Sequence, residues 1–577
     1  MGRSRLGATL RAFAPIRRPR LREAYDYVIV GSGSAGGHLA YRLSEDPSCR
    51  VLLVEAGRQD NTPWVHVPVF YFKSIGTPAY DWMYKTHGPT SGLGGRSLAW
   101  PRGKVLGGSS SLNGLLYIRG LAYDYDSWAA EGNEGWGWDD VLPHFVSSED
   151  APFDAPHRGA GGPMSISEAS NVTELGERWS TACAETMGVP RLRDMSCAAG
   201  RDAASSGAGV AYFSNMKSVD GFRCSTALPL HEVRASRPNL HIVCNAEAQQ
   251  LLLRGGRAEG VVLAGGPGGA DARREVRVAP GGEVLVCAGA LGSPHLLLRS
   301  GIGAPAALES AGVACAHELP GVGENLQDHL QLRPKFRVSC PTLNTQVGGL
   351  VKHAVKGGVH WLRAMTSPAA WRFGLEFLLR RSGPVSMAAS QVCAFVPSQP
   401  GLPAPDLQFH FQPLSTTGTP AVYLDNFDAF TASVCILRPE SRGRVELQPD
   451  GSLRISPNYL STPADQALAV RSLEVAREVS QHPLLREIGA QEVDPPERLD
   501  VDHARRVAET IYHPAGTCKM GPSSDPTAVV DASLRVHGLE GLRVVDCSVM
   551  PRIVSGNTHA PTVMIAERAA SLLRGDA

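Results

Sequence analysis

The chain has 577 residues, 43% hydrophobic and 19% charged, with 56 Lys and Arg against 56 Asp and Glu. That length exceeds one hydrophobic core and predicts two connected domains, and a net charge of zero gives no support for nucleic acid as a partner. No apolar run approaches the ~20 residues that span a bilayer, so any membrane contact is expected to be peripheral.

Residues 1–22 hold seven Arg and no acid, with Leu6, Leu10 and Phe13 between them. The pattern is that of a transit peptide, mitochondrion ahead of plastid; the alternative is a disordered basic tail on a cytoplasmic protein. No core-forming pattern is expected before Tyr25. There a buried strand leads into Gly31-Ser-Gly33-Ser34-Ala35-Gly36, a helix follows, and a second buried strand ends at Glu55-Ala56-Gly57. Gly31 permits a tight turn, Gly33 lets the backbone approach a pyrophosphate, and Gly36 lets the helix pack on the strand. The helix N-terminus offers free N–H groups to the phosphates. Glu55, 19 residues after Gly36, is placed to accept hydrogen bonds from ribose hydroxyls. Together these predict a dinucleotide site.

Residues 58–100 are loop-rich. After Arg102 comes Gly107-Gly108-Ser109-Ser110, small residues whose backbone N–H groups form an anion cradle, followed by Asn113 and Gly114. Residues 237–264 alternate as strands of a meander with a turn near Gly255-Gly256. A strand over 282–289 and a helix from about Ser293 to Ser300 make a second strand–glycine–helix crossing. Residues 331–505 lack glycine fingerprints and are read as mostly a substrate-facing domain. At the end, a strand over 542–546 precedes a helix from Ala560, with Pro561 near its first position, where a missing N–H costs nothing. The twelve Cys show no C-x-x-C or zinc spacing and no H-E-x-x-H occurs, so buried reduced thiols and no metal are expected.

At four long stretches, in order, the chain resembles the glucose–methanol–choline (GMC) family of FAD oxidoreductases. These are Gly103 to Asp126, Gly289 to Gly303, Tyr512-His513-Pro514 to Gly521, and Asp546 to Thr562. The resemblance implies an α/β protein: a Rossmann-like FAD domain assembled from 23–150, 220–330 and 506–577, and a substrate or cap domain with an antiparallel sheet from 151–219 and 331–505. It implies that FAD is held by Gly31, Gly33, Ser34, Ala35, Gly36, Glu55, Ala56, Arg102, Gly107, Gly108, Ser109, Asn113, Gly114, Ala248, Asp546, Asn557, Ala560, Pro561 and Thr562. Asp546 has a plainer alternative role as a helix or turn cap.

The family removes a hydride from an alcohol carbon to flavin N5. An alcohol hydroxyl needs a positioned base near neutral pH, and the resemblance makes His513 that base, stiffened by Pro514. His559, where members carry His or Asn, is the second catalytic candidate; its alternative is a structural cap on the helix at Ala560. That helix N-terminus would face the flavin pyrimidine and stabilise negative charge there. Choline-oxidising members carry acids where this chain has Gln331 and Gln391, so a neutral primary alcohol is expected over choline. Two further alternatives are a fatty-acid photodecarboxylase, disfavoured by Ser390 and His410 at its key positions, and a non-catalytic FAD-fold protein, disfavoured by His513. The motifs leave the electron acceptor, O2 or a quinone-type compound, open.

Overall fold

The structure, a computed structural model, describes residues 4–17, 19–151, 157–169, 172–198, 207–265, 273–346, 368–417 and 423–575. Its first element corrects the expectation that nothing before Tyr25 joins the core. Leu6–Ala12 forms helix α1 with Ala8, Thr9 and Ala12 buried, and α1 packs on the helix Ala227–Val233. Small side chains four residues apart share a helix face and admit a close neighbour. Arg5, only 1% exposed, bonds Glu232 at 2.8 Å, Ser165 Oγ at 2.7 Å and the Gly162 carbonyl at 2.9 Å. The arginine-rich N-terminus thus holds one arginine that anchors the fold.

The first sheet grows from β1 (Ala24–Val30) and β2 (Val51–Val54). Val28, Ile29, Val51, Leu52 and Leu53 have no exposed surface, as expected of parallel strands covered on both faces. β3 (Leu240–Val243) pairs parallel with β2, so it extends the sheet outward instead of joining a meander. β4 (Ala246–Arg254) and β5 (Arg257–Gly265) form an antiparallel hairpin whose turn is Gly255-Gly256, both with positive φ. β6 (Arg273–Val286) begins well before the expected strand. Its first half pairs antiparallel with β5, and its second half runs parallel to β1 and to the strand Leu542–Val544. The order is β3-β2-β1-β6-β5-β4.

Helix α2 (Gly36–Leu43) follows the glycine turn, and α3 (Gly289–Arg299) follows β6. α3 starts four residues earlier than expected because Asp546 caps it. The Gly289 N–H and the Ser293 hydroxyl donate to Asp546 Oδ2 at 2.8 and 2.5 Å.

The second sheet is antiparallel. It contains β7 (Leu330–Leu332), β8 (Lys335–Arg337), β9 (Val392–Val396), β10 (Leu407–Gln412) and β11 (Ala429–Ile436), with Gly209–Tyr212 on one edge and Gln491–Glu492 on the other. β10 reads Leu-Gln-Phe-His-Phe-Gln, alternating apolar and polar, yet five of its six residues are buried. Leu407, Phe409 and Phe411 join the core that also holds Trp179 and Leu473, from the helices Glu174–Met187 and Pro463–Ser480. The polar residues must therefore face an internal space. Helix α4 (Pro368–Arg380) stands at that space. Phe373 and Phe377 are buried toward it, while Trp371, Leu375, Leu378 and Leu379 are 49–80% exposed.

The last helix, α5 (His559–Arg574), returns to the beginning of the chain. Its Glu567 binds His38 and Arg42 of α2, the latter at 2.8 Å, and accepts from Ser147 Oγ at 2.9 Å. These donors hold the Glu567 carboxyl well below the usual range against the cost of burial. Pro561 is the third helical residue, still inside the first turn where no intrahelical N–H bond is lost.

Candidate active site

A cavity of about 1550 Å³ runs from the C-terminal ends of β1, β2 and β6 to the polar face of the second sheet. At the first end the three glycines divide their work. Gly31 has φ +95°, and a Cβ there would lie 2.6 Å from the Cys287 carbonyl; a Cβ on Gly36 would lie 1.9 Å from the Gly31 carbonyl. Those two are required by packing. A Cβ on Gly33 would touch no protein atom, so it would project into the cavity. The cradle closes over it, since a Cβ on Gly108 would come within 2.7 Å of Gly33 Cα. Glu55 lines the same end, accepting from Ser32 Oγ at 2.6 Å and Gly57 N at 2.8 Å; burial pushes its carboxyl upward. Arg102 Nε and His559 Nε2 line the cavity without a protein partner. Open space over Gly33, unspent donors and a parallel sheet's C-terminal edge fit a dinucleotide.

At the second end stands His513. Tyr512 before it has φ +69°, a strained conformation for a non-glycine residue that costs on the order of 1 kcal/mol or more. Three bonds hold it: Tyr512 N to Thr510 Oγ1 at 2.7 Å, Arg102 Nη2 to the Tyr512 carbonyl at 2.7 Å, and His513 N to Asp328 Oδ1 at 2.8 Å. Asp328 is itself buried and also accepts from Tyr459 and Thr510.

The imidazole of His513 lies between two partners. His329 Nδ1 is 3.0 Å from His513 Nδ1, and Asn557 Nδ2 is 3.1 Å from His513 Nε2. His329 Nε2 donates to the Leu437 carbonyl at 3.0 Å. Burial pushes His329 down to about 4, so it is neutral near pH 7 and its Nδ1 is an acceptor. His513 must then donate from Nδ1, which leaves its Nε2 lone pair on the cavity side, where it accepts from Asn557 Nδ2. Burial, with smaller contributions from His329, His410 and Arg102, holds His513 well below the ordinary histidine value.

Most of the expected residues line this cavity. Gly36, Gly107, Ala560 and Pro561 do not; they lie behind its wall. His559 is placed differently from expectation. Its Nδ1 shares a 2.8 Å bond with Ser34 Oγ of the glycine turn, and the residue paired with His513 is Asn557, two positions earlier. Thr558 and not His559 occupies the cap position of α5. Gln331 lines the cavity, but Gln391 faces away and accepts from Thr173 Oγ1 at 3.0 Å. Ser390 and His410 both line it.

Sequence reasoning missed three residues and read a fourth, His410, only as a mismatch to another reaction. Asp328 and His329 sit in the polar Gln-Asp-His triplet that ends a glycine turn, and a polar triplet entering a buried strand was the available signal. His410, on β10, has neither ring nitrogen bonded to protein. Arg223, fully buried, binds Asn113 Oδ1 at 2.7 Å and the Ser110 carbonyl behind the cradle, with Nη2 unpartnered.

The fold and cavity are those of an FAD-binding oxidoreductase. Family models described as GMC oxidoreductase match residues 25–331 and 439–566. The chain belongs to the GMC oxidoreductase family, and it is an FAD-dependent oxidoreductase that acts on alcohols. It is 36% identical over 560 residues, 95% of each chain, to an alcohol dehydrogenase (acceptor) of Pseudomonas putida. It is 37% identical over 572 residues to a mitochondrial choline dehydrogenase of Mus musculus, covering 96% of this chain and 90% of the relative. The crystal structure of pyridoxine 4-oxidase from Mesorbium loti superimposes with a TM-score of 0.80 at 32% identity, covering 96% of this chain and 99% of that one.

Proposed function

We propose that the chain oxidises a primary alcohol to an aldehyde, with His513 Nε2 taking the hydroxyl proton. The observation that carries this is the His329–His513–Asn557 relay, which fixes the lone pair of His513 toward the cavity. Asn557 Nδ2 donates to the substrate oxygen as its proton leaves, and Gln408 Nε2, 3.5 Å from Asn557 Oδ1, steadies the amide orientation. Bound FAD supplies the hydride acceptor at flavin N5. The residues that would hold it are the Gly31–Ala35 turn, Glu55, Gly108 and Ser109, with Ser34 and His559 at the junction of turn and last helix. The bonds around Tyr512 keep His513 within reach of one face of the cavity.

Choline fits less well. The position before Leu332 is the neutral Gln331, whose Nε2 is spent on the Thr510 carbonyl at 3.0 Å, and the next cavity side chain on that strand is a cation, Arg333. The test is dye reduction by purified holoenzyme over a panel of alcohols, with peroxide measured in parallel. Bleaching by no alcohol would end this reading; peroxide without dye reduction would make O2 the acceptor.

A second element of the reading concerns α4. Its outward Trp371, Leu375, Leu378 and Leu379, with Arg372, Arg380 and Arg381 around them, match an interfacial helix on an anionic membrane beside the cavity mouth. Among the described residues no helix is long and apolar enough to cross a membrane. Co-sedimentation with phosphatidylserine-containing vesicles, lost in Leu375→Glu/Leu379→Glu, is the expected result; equal sedimentation of both proteins would refute it.

A further inference from the structure

β7 and the residue after it carry a second alternation. His329, Gln331 and Arg333 share one strand face, because successive residues point to opposite sides. Gln331 and Arg333 line the cavity, and His329 reaches His513. On β10, with β11 between it and β7, a parallel set runs on the same face. Gln408 touches Asn557, His410 follows with both ring nitrogens unpartnered, and Gln412 accepts from Arg333. One end of this polar strip is therefore the His513–Asn557 pair, and the other is a guanidinium.

Among the described residues, no carboxylate pairs with that guanidinium. Among the described residues, its hydrogen-bond partners are Gln412 Oε1 at 3.3 Å and Thr416 Oγ1 at 3.4 Å, both long and both neutral. Glu509, the acid that also feels Arg333, is bonded to Arg96 at 2.8 Å. Asp328 is the single acid of the sequence between residues 325 and 375, and its oxygens are filled by Tyr459, Thr510 and His513. A half-buried cation without an anion is unfavourable unless a ligand supplies one. The walls between the two ends are apolar, with Leu343, Phe377, Met387 and Leu414.

We infer that Arg333 is the anion-binding end of the substrate site, and that the substrate is an ω-hydroxy carboxylic acid or a close analogue. Its hydroxyl sits at His513 and Asn557, its chain lies along His410 and the apolar walls, and its carboxylate pairs with Arg333 in the bidentate manner that guanidinium favours. Three residues separate His329 from Arg333, four steps and about 13 Å of strand, so the hydroxyl and carboxylate are expected to be joined by a chain and not adjacent. The inference rests on the alcohol-oxidising reading of His513. It goes further than the absence of acids at the choline positions, which argues only against a cationic substrate.

The test uses FAD-loaded enzyme in two assays. In the first, kcat/KM is compared for ω-hydroxyalkanoic acids and n-alkanols of equal length, in the native chain and in Arg333→Gln, Arg333→Lys and Arg333→Glu. Hydroxy acids should lead by about tenfold to a hundredfold, the worth of a charge-assisted pair. The ratio should fall to about one in Arg333→Gln, be partly kept in Arg333→Lys, and invert in Arg333→Glu. In the second, alkanoic acids without a hydroxyl are titrated against the flavin absorption spectrum. Saturable perturbation, lost in Arg333→Gln, supports the anion site even if no alcohol is turned over, an outcome that would overturn only the alcohol-oxidising reading. Equal ratios in native and Arg333→Gln enzymes, or alkanoic acid titrations unchanged by that substitution, would overturn the role of Arg333.

Discussion

His329 and His513 meet through their Nδ1 atoms at 3.0 Å, with rings nearly perpendicular at 84°. Two imidazoles so joined cannot both carry a proton on the shared side, and the Leu437 carbonyl decides which one does. The contact is therefore a tautomer lock, with His329 as a positioning residue.

His513→Ala should keep its flavin and lose alcohol oxidation by about 10²–10⁴, the usual worth of general base catalysis. Asn557→Ala should cost more turnover than His559→Asn, because Asn557 and not His559 borders the base. Single-turnover flavin reduction measures both; a larger loss in His559→Asn would reverse the two roles.

The pH dependence follows from burial. His513 acts as the neutral form and is held below the ordinary value of 6.5, so kcat/KM should be level through neutrality and fall only in acid. Stability should move the same way. His329, depressed to about 4, and His410 and His559, each to about 3, bind protons more readily unfolded than folded below pH 6.5. Each contributes stability that is present above 6.5 and lost as pH falls toward its folded value, by about 1.4 kcal/mol per unit at most. Denaturant midpoints between pH 7.5 and 4.5 would show the slope; a flat profile would contradict it.

Gly33→Val and Gly36→Val should separate cofactor binding from folding. A side chain at Gly33 enters only open cavity, so the variant should fold and be colourless. At Gly36 the new Cβ would overlap the Gly31 carbonyl, so soluble protein should be scarce. Circular dichroism with flavin absorbance distinguishes them, and a yellow Gly33→Val protein would contradict the cradle.

Arg5→Ala should destabilise the chain by about 2–4 kcal/mol, because it removes a buried side chain together with its bonds to Glu232, Ser165 and Gly162. Arg5→Lys should recover little, since one ammonium cannot replace bonds to Glu232, Ser165 and Gly162. Thermal unfolding of both variants checks this; an unchanged midpoint would show that α1 adds nothing.

The glycine turn, Glu55 and the cradle were legible because they constrain the backbone, and backbone requirements select residue types directly. The second sheet was expected only from the family resemblance, and its individual strands were not legible. An alternating strand such as β10 signals one buried face and one wet face, and only the three-dimensional arrangement makes the wet face an interior cavity. Asn557 and His559 differ by two positions in an irregular segment, where no periodicity states which side chain points where. Arg5 was lost among seven arginines because charge counting cannot distinguish a solvated guanidinium from one buried against a carboxylate.

The contacts of Glu567 with His38 and Arg42 tie the last helix to the first turn of the chain. On a ribosome those partners emerge far apart in time. At roughly 5–20 residues per second, the glycine turn waits on the order of a minute for the segment that clamps it. For roughly the first half of that interval β1 also lacks β6, and Leu542–Val544 follows only near its end. A nascent chain thus carries an exposed, flavin-incompetent half-site until its final residues are released, which makes this protein a demanding client for whatever shields apolar strands during synthesis.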